Sequence, residues 1–182
     1  MEYYTLNILG LARQLPIMKL PVGISIAGFN PLGDTELMTK VCTDLSAKIA
    51  AKNTKFDVVV TTECKGIPFA HQLAQDANVD YVVFRKEPKI YLGNTVSFSG
   101  GSITSGKAEF FISKTDAMKL MDRNVLFVDD VFSTGRTFFG VSQFLTTLGA
   151  KVTGIAVALT EGEDHKEHNG VPIFASGFIP LL

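Results

Sequence analysis

Residues 125–137 read VLFVDDVFSTGRT, and the order of residue types in that stretch decides the fold. Four apolar residues, Val125 to Val128, run straight into Asp129 and Asp130. A short polar loop, Ser133-Thr134-Gly135-Arg136-Thr137, then opens onto a helical pattern. A short apolar run rich in β-branched and aromatic residues fits a strand buried on both faces. Gly135 lets the backbone turn tightly and brings N–H groups toward a ligand. A helix N-terminus offers free N–H groups and the positive end of a dipole, which suits phosphate. Ser133, Thr134 and Thr137 add hydroxyl donors. Carboxylates beside such a nest repel phosphate but accept hydrogen bonds from sugar hydroxyls. The combination points to a phosphorylated sugar. The bland alternative is a strand followed by a helix with Asp130 or Ser133 as its N-cap. A Walker-type P-loop is excluded, because no Gly-Lys-[Ser/Thr] is present and the acids come first.

Outward from this stretch, the same alternation recurs. Val58-Val59-Val60, Tyr81-Val82-Val83-Phe84 and the block from Val152 to Leu159 read as further buried strands. Between them lie helical patterns. Leu37, Val41, Leu45 and Ile49 repeat on one face, as do Ile67, Ala70 and Leu73, and Phe138, Val141, Leu145 and Leu148. Gly149 is placed to stop the last of these. Strand–helix alternation implies an α/β fold with a mainly parallel sheet flanked by helices. Such sheets bind ligands at the carboxyl ends of their strands. Those ends are residues 61–66, 85–89 and 129–137.

Composition narrows the function classes. The chain has 182 residues, 46% hydrophobic and 19% charged, which suits one ordered domain. Its net charge of −1 argues against a global electrostatic grip on nucleic acid or anionic membrane. No apolar run approaches a membrane span, and the N-terminus lacks a signal-peptide pattern, so a cytoplasmic protein is expected. Cys42 and Cys64 form no metal pattern and read as reduced thiols.

VLFVDDVFSTGRT resembles the phosphoribosyl pyrophosphate (PRPP) motif of the type I phosphoribosyltransferases. The resemblance implies a parallel α/β core with a small hood over a base site. We expect one domain over residues 1–182, with the core over 34–169 and the hood from 1–33 and 170–182. It gives Asp129 and Asp130 the ribose 2′- and 3′-hydroxyls. It gives Ser133, Thr134, Gly135, Arg136 and Thr137 the 5′-phosphate. Glu63-Cys64-Lys65-Gly66 resembles the family's pyrophosphate loop, in which a non-proline cis peptide is common, and Cys64–Lys65 is the candidate bond. Arg85-Lys86-Glu87-Pro88-Lys89 resembles the Arg-Lys-x-x-Lys of purine members, which carries over Arg85 and Lys89 as pyrophosphate ligands. Asp129, Asp130, Arg85 and Lys89 then form the expected catalytic set. Arg suits bidentate phosphate contact, and Lys acts as a point charge.

Residues 94–106, NTVSFSGGSITSG, read as a polar lid over the site and resemble the family's catalytic loop. The following Ser105-Gly106-Lys107-Ala108-Glu109-Phe110 resembles the Tyr-Gly-Lys-Ala-Glu-Leu of adenine phosphoribosyltransferases. Thr104 and Ser105 stand where those enzymes have Glu-Tyr. Val131 is a candidate wall for the base, and Phe29 a candidate stacking partner. The resemblance therefore implies adenine + PRPP giving AMP + pyrophosphate. Xanthine, hypoxanthine or guanine is the alternative base, and a non-catalytic PRPP-sensing regulator the alternative class. It also implies Mg²⁺ carried mainly by PRPP with no dedicated protein ligands, a homodimer, and no nucleic-acid or membrane partner. The run Glu161 to His168 reads as a solvated loop, and the apolar tail from Phe174 to Leu182 as hood or subunit interface.

Overall fold

The computed structural model describes residues 2–21, 23–100 and 108–182. The chain opens with an antiparallel three-stranded sheet, β1 (Tyr3–Ile8), β2 (Leu11–Lys19) and β3 (Ser25–Ala27). Then follow α1 (Thr35–Ala51), β4 (Val58–Thr62), α2 (Ile67–Ala77) and β5 (Asp80–Phe84). A hairpin of β6 (Thr95–Gly100) and β7 (Ala108–Ser113) leads into α3 (Lys114–Leu120). The last elements are β8 (Asn124–Phe132), α4 (Arg136–Thr147), β9 (Lys151–Glu161), β10 (Glu167–His168) and β11 (Val171–Ile179). Among the described residues no helix is long and apolar enough to cross a membrane.

The core sheet has the order β10-β11-β9-β8-β4-β5. Every pairing in it is parallel except the short β10–β11 edge. From β4 the chain winds outward to β5, whereas from β8 it winds the other way through β9 to β11. The strand order therefore reverses between β4 and β8, and the crevice outside their carboxyl ends is where such sheets bind ligands. Helices cover both faces. Leu37, Val41, Leu45 and Leu73 pack with Leu126 and Val128 on one side. Phe138, Val141 and Leu145 pack with Phe127 and Ile155 on the other. Val41, Leu45 and Leu145 are fully buried, each stabilising the fold by about 1.5–3 kcal/mol.

The predicted helices and core strands are present. Two boundaries differ. β8 runs on through both aspartates to Phe132, because β9 continues beside it with Asp129 opposite Val157 and Phe132 opposite Thr160. The tail is not hood: Val171–Ile179 is a parallel strand of the core sheet, in register with β9 from Ile173 onward. The last residue pairs with the hood: Leu182 and Ser25 exchange two backbone hydrogen bonds of 2.9 Å. The hood is therefore built from β1–β3. Arg13 fixes it to the core, donating to Asp34 at 2.6 and 3.2 Å and to Glu36 at 2.9 Å. The guanidinium holds the Asp34 carboxyl below its ordinary range.

The expected lid is in part a stem. Residues 95–100 pair with 108–113, and Phe98 stacks on Phe144 with ring centroids 4.2 Å apart. Arg85 and Phe111 exchange backbone bonds of 2.8 and 2.9 Å, which hang the hairpin on the end of β5. Thr104, Ser105, Gly106 and Lys107 lie outside the described residues.

Candidate functional site

Four α-helices are described, and their N-termini fall into two kinds. α1 and α3 are capped by side chains: Asp34 accepts from Leu37 N–H, and Ser113 from Asp116 N–H. Each also carries an acid in its first turn. α2 and α4 start at Gly66 and Gly135, with no side-chain cap and no acid in the first turn. These two uncapped ends are the ones that follow β4 and β8. Their first N–H groups have no partner from a side chain, which leaves them for an anion. Asp130 and Ser133 are thus not N-caps.

Gly135 has φ +72°, a left-handed turn that lets residues 133–137 fold back over the start of α4. Ser133, Thr134, Gly135, Arg136 and Thr137 line a hollow of about 110 Å³ together with Asp129, Val131 and Phe132. The structure therefore brings the expected phosphate loop, one of the two acids and Val131 to one place.

Asp129 and Asp130 sit side by side on β8, with Asp130 N–H donating to Asp129 Oδ1 at 2.9 Å. Asp130 is 7% exposed and forms an ion pair with Lys65. Lys65 also donates to the carbonyl of Phe29 at 3.0 Å. One ammonium thus ties together the loop after β4, the acids on β8 and the segment after β3. The ring of Phe29 is 6% exposed and lies in the core cluster, so it offers no stacking platform. The structure uses its carbonyl instead.

Burial, and then the neighbouring Asp130 carboxylate, push the Asp129 carboxyl up to about 8. The folded protein keeps this proton where the unfolded chain releases it near pH 4, so an intact Asp129 costs stability as pH rises between the two values. Asp129→Asn is expected to gain stability over the wild type at pH 8 and to lose most of that gain at pH 5. Urea midpoints at the two pH values check this, and a gain independent of pH contradicts it.

Glu63 does not present a free carboxylate to a pyrophosphate. Its Oε1 accepts from Lys86 N–H at 2.9 Å, and its Oε2 lies 3.4 Å from Arg85 Nη1. It orients the cationic loop after β5. The cis peptide is Glu63–Cys64, one bond before the expected position. Glu63 N–H still bonds the Phe84 carbonyl at 2.9 Å, so the chain leaves the sheet only after Glu63. Cys64 is exposed. Lys89 pairs with Glu87 at 3.0 Å and also feels the Glu63 carboxylate.

The run from Glu161 to His168 is not simply solvated. His165 and His168 approach Phe132 edge-on, with centroids 5.4 and 5.3 Å away, beside the loop over residues 133–137. Their spacing carries no sign of this, because Phe132 belongs to a different strand. Lys65 was legible as a cation, but not its engagement with Asp130 and the hood.

The family described as "Phosphoribosyl transferase domain" matches residues 30–176. The purine biosynthesis transcriptional repressor PurR of Bacillus subtilis is 35% identical over 136 residues, covering 74% of this chain and 47% of that protein. The chain thus spans about half the length of that relative. An adenine phosphoribosyltransferase of Kosmotoga olearia is 30% identical over 171 residues, covering 92% of this chain and 96% of that one. Among solved structures, an adenine phosphoribosyltransferase of Thermoanaerobacter pseudethanolicus superposes with a TM-score of 0.71 at 23% identity. It covers 90% of this chain and 95% of its own. The likeness extends through the switch-point crevice and both glycine-opened helices: the chain belongs to the phosphoribosyl transferase domain family and has its type I fold.

Proposed function

We propose that the protein is a purine phosphoribosyltransferase, a pentosyltransferase that joins adenine to PRPP and releases AMP and pyrophosphate. The observation that carries this is the pair of uncapped helix N-termini flanking two buried-side acids at the strand-order reversal. One anion site suits the 5′-phosphate and the other the pyrophosphate, with the acids between them for the ribose hydroxyls.

A ring nitrogen of the base attacks C1 of PRPP, and the C1–N bond forms as the C1–oxygen bond to pyrophosphate breaks. The nitrogen sheds its proton. Positive charge develops on the ribose ring, as in other glycosyl transfers. Asp129 and Asp130 hold the ribose, and the negative charge of the Asp130 carboxylate favours that ring. The first turn of α2, Lys65 and Arg85 receive charge on the departing pyrophosphate. Lys65 must leave Asp130 or share it to do so. The hairpin stem holds Arg85 in place from the other side. Val131 remains our candidate wall for the base.

Mg²⁺ fits this donor set. Asp129 and Asp130 would offer hard oxygen donors for one or two positions, and substrate phosphates and water would supply the rest. When bound it neutralises pyrophosphate charge. The reading also carries a homodimer in the cytoplasm.

Thr104, in place of the adenine enzymes' glutamate, favours hypoxanthine, guanine or xanthine as a second reading. The likeness to PurR favours a third, a PRPP-binding regulator without turnover. A pyrophosphate-release assay with PRPP, Mg²⁺ and adenine, hypoxanthine, guanine, xanthine, uracil or orotate, one at a time, separates them. Turnover with adenine alone is the expected result. Turnover with a different purine replaces the substrate. No turnover with any base, together with thermal stabilisation by PRPP, overturns the enzyme reading in favour of the regulator.

A further inference from the structure

We infer that His168 is a positioning residue for the loop over residues 133–137, a wedge that holds it in the shape a phosphate needs. The inference rests on the reading of that loop as the 5′-phosphate site. The backbone of His168 is fixed in β10, opposite Val171 of β11. Its half-buried ring meets Phe132 edge-on at 5.3 Å and Phe138 at 5.5 Å with the ring planes at 90°. Phe132 is the last residue of β8, and Phe138 lies in the first turn of α4, so these two side chains stand at the two ends of the loop.

The same imidazole reaches the middle. A Cβ placed on Gly135 would lie 3.0 Å from His168 Cε1 and 3.2 Å from Nε2, against 3.0 Å from Phe132 Cζ. The left-handed turn therefore rests directly on the ring. No side chain caps α4, and Thr134, Arg136 and Thr137 are exposed, so little within the loop itself fixes its shape. A five-residue loop touched by one ring at both ends and at its turn takes its curvature from that ring. Edge-to-face packing of this kind is directional, which is what a positioning role requires. The ring acts through the loop and has no place at the reacting atoms.

The test separates the two phosphate ends of the substrate. Ribose 5-phosphate probes the loop after β8, and inorganic pyrophosphate probes the loop after β4. His168→Ala is expected to weaken ribose 5-phosphate binding and raise the KM for PRPP by about tenfold, since small misplacements of a binding loop have effects of at least that size. Pyrophosphate affinity and kcat should stay within about twofold, the signature of lost binding without lost chemistry. His168→Phe, which restores the edge contacts, should recover most of the ribose 5-phosphate affinity. Unchanged ribose 5-phosphate binding in His168→Ala overturns the inference. So does equal weakening of both probes, which marks a general structural role, or a Phe variant no better than Ala. Failure of the wild-type protein to bind ribose 5-phosphate, while it still binds pyrophosphate, removes instead the phosphate-loop reading on which the inference stands.

Discussion

Asp130→Asn is expected to lower PRPP-dependent turnover by about ten- to a hundredfold while leaving the fold intact. The ribose offers two neighbouring hydroxyls, and each donates to a carboxylate. A hydrogen bond to a charged acceptor contributes about 1.5–3 kcal/mol, so weakening the one that Asp130 accepts at its buried position corresponds to about 10 to 10² in rate or affinity. An amide keeps one acceptor oxygen but turns an NH₂ toward a hydroxyl donor or the Lys65 ammonium. The competing effect is loss of the Lys65–Asp130 ion pair. Asp130 is buried, but Lys65 is about one-third exposed, so the ammonium left without its partner stays hydrated and the change also removes a buried carboxylate charge. Activity should therefore fall while the melting temperature of the free protein changes little. Pyrophosphate release and PRPP-dependent thermal stabilisation are the two readouts. Unchanged values in both would remove the ribose role of Asp130.

Gly66→Ala should destabilise the free protein by about 2 kcal/mol or more, in the range of overpacked cores, and abolish PRPP binding. The backbone of Gly66 is ordinary, with φ −74°, so the cause is space and not conformation. A Cβ there would lie 2.3 Å from Thr61 Oγ1 and 3.2 Å from both Cα and Oδ1 of Asp129. Thr61 is fully buried on β4, and the Asp129 backbone belongs to the central strand β8. Neither can move without parting α2 from the sheet at the site. Gly28→Ala is the control: its nearest contact, at 3.0 Å, is the terminal methyl of Met18, which can swing away. Thr61→Ala in the Gly66→Ala background removes the 2.3 Å clash and should recover part of the lost stability. Equal urea midpoints for Gly66→Ala and the wild type would show that the close approach is not a constraint.

Much of this site could be read before any coordinates. Val125–Val128, the two acids and the Ser-Thr-Gly loop are consecutive, so strand, acids, turn and helix follow from local chemistry. The same holds for Gly66 before Ile67 and for Arg85 after Phe84. Reading stopped where a residue's role depends on a distant partner. Phe29 is a candidate stacking partner in sequence, yet its ring is claimed by the core and its carbonyl reaches Lys65, 36 residues on. The tail from Val171 is apolar enough for a hood or an interface, and nothing local shows that β9 is waiting to pair with it. The histidines sit among charges, and their contacts lie on Phe132 and Phe138.

By itself, then, the sequence determined the α/β class, the helices and central strands, and the loops that carry the acids, glycines and cations. These follow from periodicity and turn chemistry, which act over a few residues. Only the tertiary structure decided that Lys65 neutralises Asp130, that Glu63 holds Arg85, that β11 completes the sheet and that His168 lies beneath Gly135. Those contacts join segments tens of residues apart, and a side chain's own neighbours in the chain place no constraint on which distant partner will meet it.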